Sequence, residues 1–267
     1  MIAVSNLAWP LAQEAAAFGL LAANGVTGVE MAPTRLAPWD DLTAPLLADY
    51  RQRINDAGLV VSSLQAILFG RPELQLLDDD PAPLAVHFSA VVRVATALGA
   101  RVLVFGAPRN RLCGTLAGEA ALARARRRLA ALGAIAADAG VVIGIEPIPA
   151  AYKGEFLTTW QEVRAMVQAV AHPGVGVLLD TACVLLGGGA IDEAIAACAP
   201  VLCHFHVAEP ALATFEQPIA DHSAAAAALT AAGYDGWRSV EMREPPADPL
   251  ASLSKAIAFT LRHYGRI

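Results

Sequence analysis

Short apolar runs alternate with longer stretches of helical periodicity along the whole chain, and eight such cycles can be counted. The predicted strands are Ile2–Ser5, Gly28–Met31, Leu59–Gln65, Arg101–Phe105, Val141–Glu146, Val175–Asp180, Val201–Val207 and Arg238–Met242. Predicted helices lie near Leu11–Asn24, Leu42–Ala57, Pro83–Leu98, Gly118–Ala139, Thr159–Ala171, Ile191–Ala197, Ser223–Ala232 and Pro249–His263. Several strands are continuous apolar runs rather than alternating ones, as expected of a parallel sheet covered on both faces. A glycine follows a helix and precedes a strand in five of the cycles, for example at Gly99 and Gly140, where helices commonly end. That repetition implies one architecture throughout. Eight cycles in 267 residues predict an α/β fold, a single (β/α)8 TIM barrel over residues 1–267. A doubly wound open sheet is the alternative, but no glycine-rich phosphate fingerprint follows the first strand.

Four of the predicted strands end on an acidic residue or an imidazole: Glu146, Asp180, His206 and Glu241. An unpaired charge at the end of an apolar strand costs several kcal/mol or more if buried, on the order of magnitude of a folded domain's stability. Singly, each has a structural reading: a helix N-cap for Asp180, a satisfied core histidine for His206, an ion-pair partner for either glutamate. Together they fall on strands five to eight, at the barrel end where active sites of this architecture lie. Three carboxylates and one imidazole suit one divalent cation, with Mn2+ expected first and Mg2+, Co2+ or Zn2+ as alternatives.

Composition narrows the classes. A hydrophobic fraction of 56% with 16% charged residues points to a large core rather than disorder. The net charge of −6 opposes nucleic-acid binding, where phosphate neutralisation dominates affinity. Arg124, Arg126, Arg127 and Arg128 share one predicted helix and read as a solvated face. No apolar stretch reaches the ~18 residues of a membrane span. The first residues lack the basic start and apolar run of a signal peptide, so a cytoplasmic protein is expected. Four cysteines without a CxxC pair fit a reducing compartment.

Glu146-Pro147, Asp180-Thr181, His204-Phe205-His206 and Gly233-Tyr234-Asp235-Gly236 leading to Glu241 resemble the xylose isomerase-like barrel family, in its sugar phosphate isomerase/epimerase branch. The spacing of 26 residues from Asp180 to His206, then 35 to Glu241, is similar to that of ketose 3-epimerases. The resemblance implies that Glu146, Asp180, His206 and Glu241 are the metal ligands. It also implies that Glu146 and Glu241 exchange a proton with substrate carbon through an enediolate. The expected partner is a small sugar or polyol ketone, with no nucleic acid and no membrane; a homo-oligomer is left open.

Three positions depart from the ketose epimerases: Cys183 stands for a histidine, Leu212 for an arginine and Tyr152 for a glutamate. The expected substrate is therefore not a simple free ketohexose. Further substrate-contact candidates are Glu30 and Gln65 at the ends of strands two and three, His204, Glu209, His222 and Arg243. All but His222 have a plainer reading: a barrel-top hydrogen bond for Glu30 and Gln65, a buried histidine for His204, a solvated loop residue for Glu209, a carboxylate pair for Arg243. Asp221 reads as an N-cap. Arg109 and Arg111 follow strand four, where a fork of N–H donors suits an oxyanion, with pairing to a nearby carboxylate as the plainer and favoured reading. Trp9 and Trp39 could stack on a sugar, with core packing the default. Lys153 makes a poor Schiff base because nothing in its loop suggests desolvation.

Alternatives to an isomerase or epimerase are an inosose-type dehydratase, for which His222 or His204 would serve as acid, and a non-catalytic metal-stabilised sugar-binding barrel. An abasic-site endonuclease is disfavoured by six histidines in all and an acidic balance.

Overall fold

The strand-ending residues converge because the sheet closes. In the computed structural model, which describes residues 1–116 and 118–265, eight parallel strands form a closed barrel in chain order. They are β1 (Ile2–Ser5), β2 (Gly28–Met31), β3 (Val60–Leu64), β4 (Val102–Phe105), β5 (Val142–Ile145), β6 (Val175–Asp180), β7 (Leu202–Ala208) and β8 (Arg238–Glu241). β8 pairs with β1 through Ile2–Val4 and Arg238–Val240, so no sheet edge remains.

The helices are α1 (Glu14–Ala23), α2 (Ala44–Asp56), α3 (Ala82–Leu98), α4 (Gly118–Asp138), α5 (Trp160–Val170), α6 (Thr181–Leu186), α7 (Ile191–Cys198), α8 (His222–Ala231) and α9 (Pro249–Tyr264). Eight were expected; α6 is the addition. It starts where β6 stops, because the Asp180 carboxylate accepts the Cys183 amide at 2.6 Å and caps it. Asp221 caps α8 through the Ala224 amide, as expected, and a Thr159–Glu162 capping box opens α5. The four-arginine stretch of α4 departs from a fully solvated face. Arg128 is buried and donates to the Asp78 carbonyl at 2.8 Å, while Arg124 pairs with Asp79 at 2.8 Å. All four cysteines are free thiols. No helix among the described residues is long and apolar enough to cross a membrane.

The shell between strands and helices is apolar; Val29, Ile143, Val177 and Phe205 are fully buried in it. Strand alternation sorts β7: Phe205 faces outward onto the Tyr264 ring of α9, at 6.2 Å, while His204 and His206 face the barrel axis. The axis is where this barrel departs from an apolar filling. Ser5, Glu30, Ser63, His204, His206 and Ser239 are all buried there. Register shifts at Val29/Glu30 and at Val177/Leu178 bring Glu30 level with Ser63 and Asp180 level with His206.

Candidate metal centre

Glu146, Asp180, His206 and Glu241 each place one ligand atom so that all four atoms lie within 4.8 Å of one another. His206 Nδ1 is the hub: Glu241 Oε2 lies at 3.2 Å, Glu146 Oε1 at 3.4 Å and Asp180 Oδ2 at 3.7 Å. None of these approaches is an aligned hydrogen bond, so Nδ1 is a buried polar atom without a partner among the described residues. The remaining carboxylate oxygens point elsewhere. Asp180 Oδ1 caps α6. Glu146 Oε2 turns toward Gly106, where a Cβ would collide with it. Glu241 Oε1 faces the Gln65 amide.

Beneath the hub, one carboxylate collects four donors. Glu30 accepts Ser63 Oγ at 2.6 Å and His204 Nε2 at 2.7 Å, and its two oxygens lie 3.1 and 3.2 Å from His206 Nε2. The Gln65 amide, oriented by its neighbours with the nitrogen toward the carboxylates, donates to Glu30 and to Glu241 Oε1 at 3.3 Å. It accepts from Ser5 Oγ at 2.9 Å. With Nε2 carrying the proton given to Glu30, the lone pair of His206 sits on Nδ1 and points at the three carboxylates. This carboxylate–imidazole pair is the usual outer support of a metal-ligating histidine. Glu30, His204 and His206 also lie within 4.8 Å of one another, but their facing atoms already satisfy each other.

The electrostatics follow from packing like charges in a dry place. Burial pushes the Glu146 and Glu241 carboxyls above their usual range, and the neighbouring carboxylates push the same way while His206 opposes. Burial also resists a charge on Glu30, yet the imidazoles of His206 and His204 hold it below the usual range. On His206, burial is outweighed by Glu30 and Glu241, which raise its pKa well above the ordinary value. Without a cation a proton would have to balance this nest; a divalent charge among the oxygens would take that role and bring the carboxyls back down.

Two cavities meet over this centre. One, of about 490 Å³, is lined by Glu146, Asp180 and Glu241 together with Tyr152, Cys183, Leu212 and Arg243. The other, of about 480 Å³, adds Gln65, Ile67, Phe69 and Arg109 to Glu146 and Glu241. Tyr152, Cys183 and Leu212, the three positions of departure, thus share one cavity.

Four candidates are placed elsewhere than a substrate contact requires. Glu30 and His204 lie fully buried under the hub, so they hold His206 rather than reach a ligand. Glu209 and His222 bind each other at 2.7 Å; Glu209 also takes the Ile219 amide at 2.9 Å and His222 Nδ1 meets the Tyr264 hydroxyl at 2.8 Å. They tie the loop after β7 to α9, away from both cavities. Trp9 is buried against Phe18, and the Trp39 indole donates to the Phe69 carbonyl. Lys153 is exposed. Arg111, only 1% exposed, donates to the Glu146 carbonyl at 3.0 Å and pairs with no carboxylate among the described residues. Ser63 and Gly106 were not anticipated. Ser63 gives no signal in a strand, whereas Gly106, ending an apolar run, could have been flagged as a close-approach position.

A family profile described as xylose isomerase-like TIM barrel matches residues 18–263. A comparison with curated protein sequences finds no match. Among solved structures, the chain is similar to a D-psicose 3-epimerase with D-tagatose from Clostridium cellulolyticum H10, at TM-score 0.83 and 16% identity over 99% of this chain and 98% of that one. An L-ribulose 3-epimerase superposes with TM-score 0.83 and 18% identity over 99% and 94%. A 3-keto-D-glucoside 4-epimerase from E. coli does so with TM-score 0.77 and 18% identity, covering 97% of each chain. At such identities the likeness is one of fold.

Proposed function

The chain belongs to the xylose isomerase-like TIM barrel family, and on that premise we propose that it is a divalent-metal-dependent isomerase or epimerase of a sugar or sugar-like hydroxy ketone. The observation that carries this reading is the unpartnered His206 Nδ1 ringed by three carboxylates at the floor of two cavities. That donor set fits one divalent cation held by Glu146, Asp180, His206 and Glu241, Mn2+ first, with Mg2+, Co2+ and Zn2+ as alternatives. Bound there, the cation would polarise a ketone and its neighbouring hydroxyl and so make the C–H between them more acidic.

The chain's own residues supply the rest. Glu146 follows β5 and Glu241 ends β8, and each also lines both cavities. A substrate lying over the floor would therefore meet a carboxylate from two sides. One takes the proton from carbon and the other returns it on the opposite face, giving an epimer; return to the neighbouring carbon gives an isomer. Gln65 holds Glu241 Oε1, and Gly106 leaves room for Glu146 Oε2. Glu30 keeps the proton of His206 on Nε2 and the lone pair on Nδ1. A dehydratase on the same floor would need a further acid, and its two candidates, His204 and His222, are buried and engaged by Glu30 and Glu209.

The test is solvent exchange. Metal-loaded protein in D2O, given a panel of ketoses, should place deuterium on the carbon beside the carbonyl, and Glu241→Gln or Glu146→Gln should abolish it. No exchange and no product for any member would sink the proposal.

A further inference from the structure

The two cavities over the centre differ in kind. The one that holds Tyr152, Cys183 and Arg243 mixes polar and apolar walls. The other, of about 480 Å³, rises from Glu146 and Glu241 between walls of Leu7, Ile67, Leu68, Phe69, Pro72 and Val104. Its remaining polar side chains are mostly engaged. Gln65 is taken up by Ser5, Glu30 and Glu241. The Asn110 amide gives its protons to the Arg71 and Leu74 carbonyls, at 2.7 and 2.8 Å. Arg109 is exposed and offers donors only.

The backbone of these walls is occupied too. The Ile67 carbonyl accepts His87 Nε2 at 2.9 Å, the Phe69 carbonyl the Trp39 indole at 3.0 Å and the Arg109 carbonyl the Gln75 amide at 2.7 Å. The Ala66, Leu68 and Ala107 carbonyls close turns onto the amides of Phe69, Arg71 and Asn110. What the loops after β3 and β4 present to the cavity is therefore mainly carbon. Phe69 is 67% exposed, yet its loop is not loose. Besides the Trp39 and His87 bonds, Arg71 pairs with Asp40 at 3.0 Å, and Ala66 opens the turn in a left-handed backbone, with φ of 53°. Exposed apolar surface held beside a cavity is a mark of a ligand-binding groove.

A hydroxy ketone bound over Glu146 and Glu241 carries a substituent on each side of its reacting carbon. The two cavities meet over that floor, so one substituent enters the carbon-walled one. A hydroxylated arm would there exchange water for carbon, whereas an apolar arm buries surface without losing a hydrogen bond. We infer that the substrate is a hydroxy ketone bearing an aryl or alkyl group, which lies against Ile67, Phe69 and Val104 while the hydroxy ketone lies over Glu146 and Glu241. The inference rests on the isomerase or epimerase reading of the same centre, so its test reads binding apart from turnover. Calorimetry on Mn2+-loaded protein would compare three neutral hydroxymethyl ketones: D-erythrulose, 1-hydroxyhexan-2-one and 1-hydroxy-4-phenylbutan-2-one. At least one apolar probe should bind about 30-fold tighter than D-erythrulose, the scale of burying one large apolar group. Phe69→Ser should cut that preference several-fold and Phe69→Leu should keep most of it; the ring is exposed, so folding is not at stake. Leu212→Asn, in the other cavity, should leave the ratio standing.

Binding of D-erythrulose as tight as that of the apolar probes, or no binding of any, overturns the inference. So does a preference that survives Phe69→Ser or falls with Leu212→Asn, since the apolar arm would then lie elsewhere. Deuterium exchange on the same samples reads the catalytic proposal separately. A Phe69-dependent preference without exchange for any probe would keep the apolar subsite and remove the enzyme. Exchange without that preference would keep the enzyme and remove the subsite.

Discussion

At the end of the barrel where helices return to strands, left-handed backbone falls on Gly25, Gly58, Gly99, Gly140 and Gly233, which carry no side chain to be strained. At the opposite end, where strands open into the cavities, Ala66, Ala107, Lys153, Leu157, Ala211, Leu212 and Asp248 hold positive φ with a Cβ in place. Each such residue costs about 1–2 kcal/mol. The same end also packs Glu146, Asp180 and Glu241 around His206. One end of the molecule has been relieved of strain at all but Ala171; the other carries both backbone strain and confined like charge. The closing turns need only connect, whereas the loops over the centre must hold particular side chains in particular places.

The sharpest way to break this contrast is to remove charge from the loaded end. Glu241→Gln should lower deuterium exchange by about 10³-fold, the usual scale for losing a positioned proton carrier. In metal-free protein at pH 8 the same change should raise stability, because burial and its neighbours already disfavour an ionised Glu241. Denaturation and exchange on one preparation check both. A variant that lost stability along with exchange would mean that Glu241 is a structural residue, and the contrast would fail.

Metal loading should stabilise the same end, on a somewhat smaller scale than that loss of exchange. Glu146 in the metal-free fold is raised from 4.5 to about 7, and Glu241 is raised too. Between those values the folded chain binds more protons than the unfolded chain, so metal-free stability falls as pH climbs through the window and stays low above it. A cation displaces those protons. Mn2+ at a hundred times its dissociation constant should add about 2.7 kcal/mol, and at fixed total metal the gain should be larger at pH 8 than at pH 5.5. Thermal unfolding with and without Mn2+ at both values decides it. A gain that is larger at the acid end would mean that these carboxylates are not the ligands.

A change at the relieved end should move stability alone. Gly99 has φ of 84°, and an added Cβ would sit 3.1 Å from the Arg51 guanidinium. Gly99→Ala should cost about 1–2 kcal/mol in urea unfolding while exchange per folded molecule stays the same. Loss of exchange there would show that the two ends are not independent.

The two ends also differ in how far they could be read in advance. The ligand set was legible because each member is a polar residue closing an apolar run, and in a parallel barrel every such run points its end the same way. His204 and His206 were legible as an inward pair from strand alternation alone. Depth was not. Glu30 ends β2 just as Glu146 follows β5, but the register shift at Val29/Glu30 sets it level with Ser63, under the ligand set rather than beside the cavities. Glu209 and His222 read as loop residues because their pairing needs the chain after β7 to fold back onto α9. The short α6 was missed because Thr181–Leu186 is an apolar run too brief for a period, and its start signal, Asp180, was already assigned to the centre. The cavity walls were visible only as departures from a motif; that Tyr152, Cys183, Leu212 and Arg243 face one space is a property of the closed barrel.

The smallest effect offers the cleanest comparison, because one substitution can be made at both ends. Ala171, between α5 and β6, stands where five other closing turns have glycine, with φ of 48°. Ala107, after β4, has nearly the same φ, 46°, but lines a cavity beside Glu146. Changing either to glycine removes about 1–2 kcal/mol of steric cost and returns about 0.4–1 kcal/mol as added freedom of the unfolded chain, leaving a gain of roughly 0.5 kcal/mol. At Ala171 that gain should come with unchanged exchange. At Ala107 it should come with a several-fold fall in exchange, since the turn that leads to Arg111 at the Glu146 carbonyl would no longer be held to one conformation. Equal stability gains with equal, intact exchange would mean that the strain over the centre is incidental to positioning Glu146.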